Sequence, residues 1–332
     1  MLLVAWIAVV TAAMPPEVGG SLAGRQVFPR TNWWNLDISR APIDTNSAAF
    51  VNFISGRTAS NPTATRPVHP DFGPSPYGIP YVVVSGDQPL VTPVWTAYGD
   101  ESDAGAPGRP PGYPFPVEAR TQAGYIEGAV AGGGIDGDRH LLIVDKDNWL
   151  LYETGATYWN AALNRWEANC GAVFDLNRDD RRPDTWTSAD AAGLAIFPGL
   201  VRYDEAFAAA EITHAFRVTV RATNGYVWPA SHRAGSTAGA LPMGARLRLK
   251  ASKDLSGYRP EIQRIFRAMQ RYGLIVADNG SDMYVSGATD ARWDNGVLNP
   301  AFHGLTADDF EVVRLGWKST APRPPTNLRI IR

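Results

Sequence analysis

Asp136-Gly-Asp-Arg-His-Leu-Leu-Ile-Val-Asp-Lys-Asp-Asn-Trp-Leu-Leu-Tyr-Glu153 is the stretch on which the fold turns. Two apolar runs flank Lys146-Asp147-Asn148, a polar turn, so the segment is expected to form a β-hairpin. With that turn, Asp145 faces Trp149, Ile143 faces Leu151 and Leu141 faces Glu153. His140, Leu142, Val144, Leu150 and Tyr152 then share the opposite face. Both faces are apolar at mid-strand, which predicts a hairpin covered on both sides. Asp, His and Glu at the ends of such strands mark a place to look for chemistry.

Outward from the hairpin the chain is expected to be mostly β. Strands are predicted over Tyr81–Ser85, Val91–Tyr98, His140–Asp145, Leu150–Glu153, Ala172–Leu176, His214–Val220, Tyr226–Trp228, Ala245–Lys250 and Leu274–Asp278. Each is short, rich in β-branched or aromatic residues, and bounded by turn formers. Arg246-Leu-Arg-Leu-Lys250 alternates, which predicts one face in solvent. Helices are expected from Asp44 or Asn46 to Ile54, from Ser188 to Ala192, and from Pro260 to Tyr272 with Gly273 closing it. The fold class that follows is all-β dominated: an antiparallel sandwich or jelly roll with few short helices. Residues 56–80 and 99–137 are Pro- and Gly-rich loops, and loops that long tend to pack over a site.

The chain has 332 residues, 45% hydrophobic, with net charge −2. That permits a large core, and the absence of a basic stripe or Lys/Arg run argues against nucleic acid. A single cysteine, Cys170, excludes an intrachain disulfide and opens an apolar strand, which suits a small buried thiol. Leu2–Ala13 is apolar and ends in small residues before Met14-Pro15-Pro16, which suggests a signal peptide without its positive n-region. The expected organisation is a signal remnant over 1–14, a linker over 15–30, one β-rich domain over 31–317 and a Pro-rich linker over 318–332. The expected protein is secreted, monomeric and not membrane-bound after export.

Several motifs form a recognisable set: His69-Pro-Asp-Phe-Gly, Tyr98-Gly-Asp-Glu-Ser-Asp103, Asp138-Arg-His-Leu-Leu-Ile-Val-Asp145, Leu151-Tyr-Glu153, Thr187-Ser-Ala-Asp-Ala-Ala-Gly193, Pro198-Gly-Leu-Val-Arg-Tyr-Asp204, Tyr226-Val-Trp-Pro-Ala-Ser-His232, Leu247-Arg-Leu-Lys-Ala251 and Tyr272-Gly-Leu-Ile-Val-Ala-Asp-Asn-Gly280. Over about residues 30–315 the chain resembles a family of exported bacterial proteins often found ahead of fibronectin type III or carbohydrate-binding modules. The resemblance implies extracellular polysaccharide as the setting and carries over no catalytic residue. Asn148-Trp149 departs from it, standing where a cysteine is expected.

Glycoside hydrolysis needs two carboxyl groups across a cleft. Glu153, at the edge of an apolar layer, is the expected acid, since burial raises a carboxyl pKa; it could instead pair with Arg139 to fix the sheet. Asp138 or Asp190 is the expected partner carboxylate, with His140 as a further catalytic candidate. Asp100, Glu101 and Asp204 also qualify by type. Trp159, Trp186, Trp228 and Tyr152 are expected to line a sugar site, while Trp33, Trp34 and Trp166 belong with them or with the core.

Asp100-Glu101-Ser102-Asp103 and Asp136-x-Asp138 are calcium candidates without the EF-hand spacing. His140, His214 and His232 could hold a transition metal if they converged, although no cofactor is expected. No nucleophile elbow, Walker loop or dinucleotide fingerprint occurs. The function expected from these residues is an exported glycoside hydrolase acting on an extracellular polysaccharide, a β-glucan among the possibilities. The alternatives are a non-catalytic glycan-binding or adhesion module and a His-ligated metal enzyme.

Overall fold

The hairpin forms, one residue out of the expected register. In the computed structural model, which describes residues 14–103 and 109–319, β5 (Leu141–Asp145) pairs antiparallel with β6 (Leu150–Gly155) so that Leu142 faces Glu153 and Asp145 faces Leu150. The loop holds four residues, not three. Asp145 Oδ1 accepts from the backbone N–H groups of Asp147 (3.1 Å) and Asn148 (2.9 Å), an Asx-type closure that fixes the turn locally. Trp149 adopts φ 56° and is buried beneath the Arg25 guanidinium, 3.9 Å from its ring centre. Burying that indole draws Trp149 out of the strand and into the loop. A one-residue slip exchanges faces: His140 and Glu153 now share one face, and Asp145 and Tyr152 the other.

The protein is mostly β with few helices, as expected, but its sheets are mixed where purely antiparallel pairing was expected. Around the hairpin lies a five-stranded sheet in the order β1 (Glu17–Val18), β3 (Tyr81–Val84), β5, β6, β9 (Cys170–Asp175), with β3 and β5 parallel. A six-stranded sheet runs β14 (Phe310–Val312), β11 (Arg246–Leu249), β12 (Leu274–Asn279), β10 (Phe216–Val220), β13 (Tyr284–Ser286), β2 (His69–Asp71). Its β10/β12 and β13/β2 pairs are parallel. Between β10 and β12 the chain passes through β11 and the helix Pro260–Arg271, a crossover long enough for parallel strands. A small third sheet joins β4 (Val94–Trp95), β8 (Arg165–Ala168) and β7 (Tyr158–Asn160).

One core takes one face of the five-stranded sheet, with Val83, Leu142, Val144, Leu151 and Phe174, together with Phe216, Val218, Leu247, Leu249 and Val276 of the six-stranded one. The opposite face of the five-stranded sheet packs Val84, Ile143, Tyr152 and Val173 under Tyr113, Phe115 and Trp166. Helix Pro260–Arg271 starts on its proline, ends before Gly273 at φ 78°, and buries Ile262, Ile265, Phe266 and Met269. A helix of that length is marginal alone; about 1.5–3 kcal/mol for each large apolar side chain buried holds it in place.

Three expectations are corrected here. Residues 17–30, read as linker, pack on the domain: β1 pairs with β3, and Val27 and Phe28 are buried. Arg246 and Arg248 do not face solvent but are buried under residues 33–41, Arg248 donating to the carbonyls of Ile38 and Ala41 and to Glu311, and Arg246 to the carbonyl of Trp33. Arginine alternation marks a polar face, and here backbone carbonyls and Glu311 cover that face in place of water, leaving Nε and Nη1 of Arg246 without partners among the described residues. No helix forms over Ser188–Ala192, because Ser188 Oγ bonds to Asp190 N and to Leu194 O and closes a turn. Residues 1–13 and 320–332, which carry most of the expected signal and terminal linker, lie outside the described residues. No helix among the described residues is long and apolar enough to cross a membrane.

Candidate functional site

The β10, β12, β13 and β2 side of the six-stranded sheet carries a polar patch, and the strand periods explain it. Arg217 and Thr219 project from the same face of β10, and Tyr284 lies opposite Thr219 on β13. His69 and Asp71 lie opposite Tyr284 and Ser286 on β2. On β12 the register slips between Val276 and Asp278, so that Asp278 comes opposite Thr219. A bulge re-aims the side chain that follows it, and here it adds a carboxylate to the patch. The hairpin supplies the other wall: Asp138 and His140 precede β5, and Glu127 is hydrogen-bonded to His140. Together Asp71, Glu127, Asp138, His140, Arg217 and Asp278 line a cleft of about 230 Å³.

His140 is a buried cation. Its Nδ1 lies 2.7 Å from Glu127 Oε2 and its Nε2 lies 3.0 Å from the Ala189 carbonyl. Both partners only accept, so both ring nitrogens carry protons. Burial by itself pulls the imidazole down, but the Glu127 carboxylate outweighs it and lifts the pKa to about 9. Glu127 is itself held below the usual carboxylate range, burial opposing and His140 prevailing. Asp71 goes the other way. Burial raises it, Arg217 opposes, and Glu127 and Asp138 raise it further. No donor among the described residues reaches its carboxylate. One cleft thus holds a carboxyl biased toward its neutral form and a carboxylate biased toward its charged form.

Arg217 is the floor of the cleft. Its Nε and Nη2 donate to Asp190 (3.2 and 3.1 Å), its Nη2 also to Asp278 (2.9 Å), and its Nη1 to Ser286 (2.9 Å). Burial pulls the guanidinium down, and the two carboxylates more than reverse it. Asp190 is fully buried and lies behind the cleft, not in it.

Of the residues expected from sequence, Asp138 and His140 line this cleft, whereas Glu153 and Asp190 do not. Glu153 is fully buried, and its carboxylate accepts from Ile196 N (2.8 Å) and Phe197 N (2.8 Å). Burial pushes its pKa to about 7. No bond to Arg139 forms; that side chain donates to the Glu127 carbonyl. Tyr152, expected at the sugar site, is a core residue packed on Tyr113. Trp159, Trp186 and Trp228 are half-buried and outside the cleft, each with its own cation over the ring, from Arg120, Arg182 and Lys318 respectively. Trp33, Trp34 and Trp166 are core.

The three histidines do not converge. His214 bonds to Glu205 (3.0 Å) beside Arg202, in a separate cavity of about 480 Å³, and His232 bonds to the Ala191 carbonyl (2.8 Å). Among the described residues no group of three or more His, Cys, Asp or Glu gathers as a metal site. In the acidic loop, Asp103 bonds to Arg182 and Val173 N, and Glu101 accepts from Thr187 N (2.6 Å). Cys170 is buried, its Sγ 3.0 Å from the Ser188 carbonyl, and burial pushes the thiol up to about 12. We expect iodoacetamide at pH 8 to leave the native thiol unlabelled and to label it after denaturation; rapid labelling of the folded chain would show the thiol to be open.

Asp71, Glu127, Arg217 and Asp278 are the site residues that the sequence reading missed. The signals were present: Asp71 sits between Pro70 and the buried Phe72, and Arg217 and Thr219 alternate with Phe216, Val218 and Val220. Comparison of the chain with protein-family models, with curated proteins and with solved structures finds no match.

Proposed function

We propose that the protein is an exported glycoside hydrolase that cleaves an extracellular polysaccharide from the cleft between the hairpin and the six-stranded sheet. What carries this reading is the opposition of Asp71 and Glu127. Two titratable groups whose surroundings push their pKa values apart are the usual arrangement of an acid and a base in one site. Asp71 is the proton donor to the leaving oxygen. Glu127, kept ionised by His140, is the base or nucleophile. His140 clamps Glu127 and does not itself accept a proton, because both of its nitrogens already donate. Asp138, exposed at the rim, and Tyr284 are placed to contact substrate hydroxyls. The two large sheets would act as the leaves of a sandwich whose open edge is this cleft.

Incubation with a panel of neutral, acidic and amino polysaccharides, followed by product analysis, tests the proposal. Oligosaccharides with new reducing ends are expected from at least one member, and Glu127→Gln should remove them while the protein still melts cooperatively. Absence of product across the panel, or undiminished product from Glu127→Gln, would overturn it.

A further inference from the structure

The cleft contains a cation, Arg217, and a carboxyl without a donor, Asp71, yet the two are not paired. Their places in the sheet show how close they are. Ser286 of β13 accepts from Arg217 Nη1 at 2.9 Å and stands opposite Asp71 on the next strand, β2. Neighbouring strands lie about 4.8 Å apart, so a modest swing of the guanidinium past Ser286 would bring it to Asp71.

Asp190 stands against that swing. It takes Nε and Nη2 side by side in a two-point grip, and such forked pairs fix a guanidinium in orientation as well as in place. Asp190 is itself fixed, being fully buried in the turn closed by Ser188. Asp278 then holds Nη2 from the other side.

We propose that Asp190 is a positioning residue that holds Arg217 turned away from Asp71, so that the acid of the cleft stays without a cationic partner. This rests on the assignment of Asp71 as proton donor. The charged and titratable groups facing Asp71 are Arg217, Asp278 and Tyr284 from the sheet, His69 on its own strand, and Glu127, Asp138 and His140 from the opposite wall. Arg217 is the cation among them that a second carboxylate holds in a two-point grip. A carboxyl that gains an opposite charge at contact range falls by about 1–3 pH units.

The test is a ¹³C NMR titration of the Asp71 carboxyl in the intact protein, its resonance assigned by its loss in Asp71→Asn. In Asp190→Asn the midpoint is expected to fall by about 1–3 pH units relative to the unaltered chain. Ser286→Ala, which frees only Nη1 and changes no charge, should lower it less. An unchanged or raised midpoint in Asp190→Asn overturns the proposal, and if that variant does not fold, an unchanged midpoint in Ser286→Ala does so. On a hydrolysed polysaccharide, the alkaline limb of kcat/KM in Asp190→Asn should move to lower pH with the NMR midpoint. If the midpoint falls but no polysaccharide is cleaved by either form, the positioning role stands and the hydrolase reading fails.

Discussion

Asp71→Asn is expected to lower kcat on a cleaved polysaccharide by about 10²–10⁴-fold, the range that a positioned proton donor supplies. The melting temperature should scarcely change. The asymmetry follows from the bonding of Asp71: its carboxylate has no hydrogen-bonded donor among the described residues, so an amide of nearly the same shape removes no contact. It also removes the repulsion that Glu127 and Asp138 exert on an ionised Asp71. The amide cannot surrender a proton to a leaving oxygen. Substrates with a good leaving group need little help from an acid, so an activated aryl glycoside of the same sugar should be cleaved by the variant with a much smaller loss. Steady-state kinetics on both substrates, with a thermal melt, check this. A variant whose kcat on the natural polymer stays within about tenfold of the original would assign the acid elsewhere.

The mostly-β fold was legible because strand residues advertise themselves by type and by period. Ala245–Lys250 and Leu274–Asp278 were expected within a residue or two of where they form. Helix Pro260–Arg271 was legible from its starting proline, its apolar stripe and its closing glycine. The pairing of strands was not legible, because β10/β12 and β13/β2 join segments far apart in sequence, and a parallel pair has no turn to announce it. Register failed at one residue: Trp149 looked like the first strand residue and is the last loop residue. That slip had moved Glu153 and His140 to opposite faces. In the fold the two point the same way, yet only His140 reaches the cleft, because Glu153 lies deeper on the strand. Asp71 and Glu127 come from the two stretches 56–80 and 99–137 that lacked periodicity. Length and stiffness marked those loops as site-forming, but nothing in their local sequence says which carboxylate turns inward; Asp278 turns inward only through a bulge.

Glu153→Ala should be the most damaging single change to stability in the hairpin. Glu153 is fully buried and takes the backbone N–H groups of Ile196 and Phe197, where the chain enters the short 3₁₀ turn Phe197–Gly199. Truncation leaves two buried donors unpaired at about 1–3 kcal/mol each, with a cavity besides. Glu153→Gln keeps an acceptor oxygen and should cost far less, and on the present assignment it retains hydrolysis. It should also change how stability depends on pH. The folded chain holds the Glu153 proton up to about pH 7, against an ordinary value of 4.5. Stability from this group is therefore complete below pH 4.5 and is lost as pH rises through 7, by roughly 3 kcal/mol in all. His140 continues the trend: its cation, favoured up to about pH 9 rather than 6.5, contributes stability below 6.5 that is lost on approach to 9. Asp71 is also raised, so Glu153→Gln should make the decline between pH 4.5 and 7 shallower rather than flat, leaving the decline above 7 unchanged. Urea unfolding at pH 5, 7 and 9 reads this directly. Parallel curves for the two proteins across pH 5 to 7 would mean that Glu153 is ionised throughout and that its two backbone bonds, not its burial, set its charge.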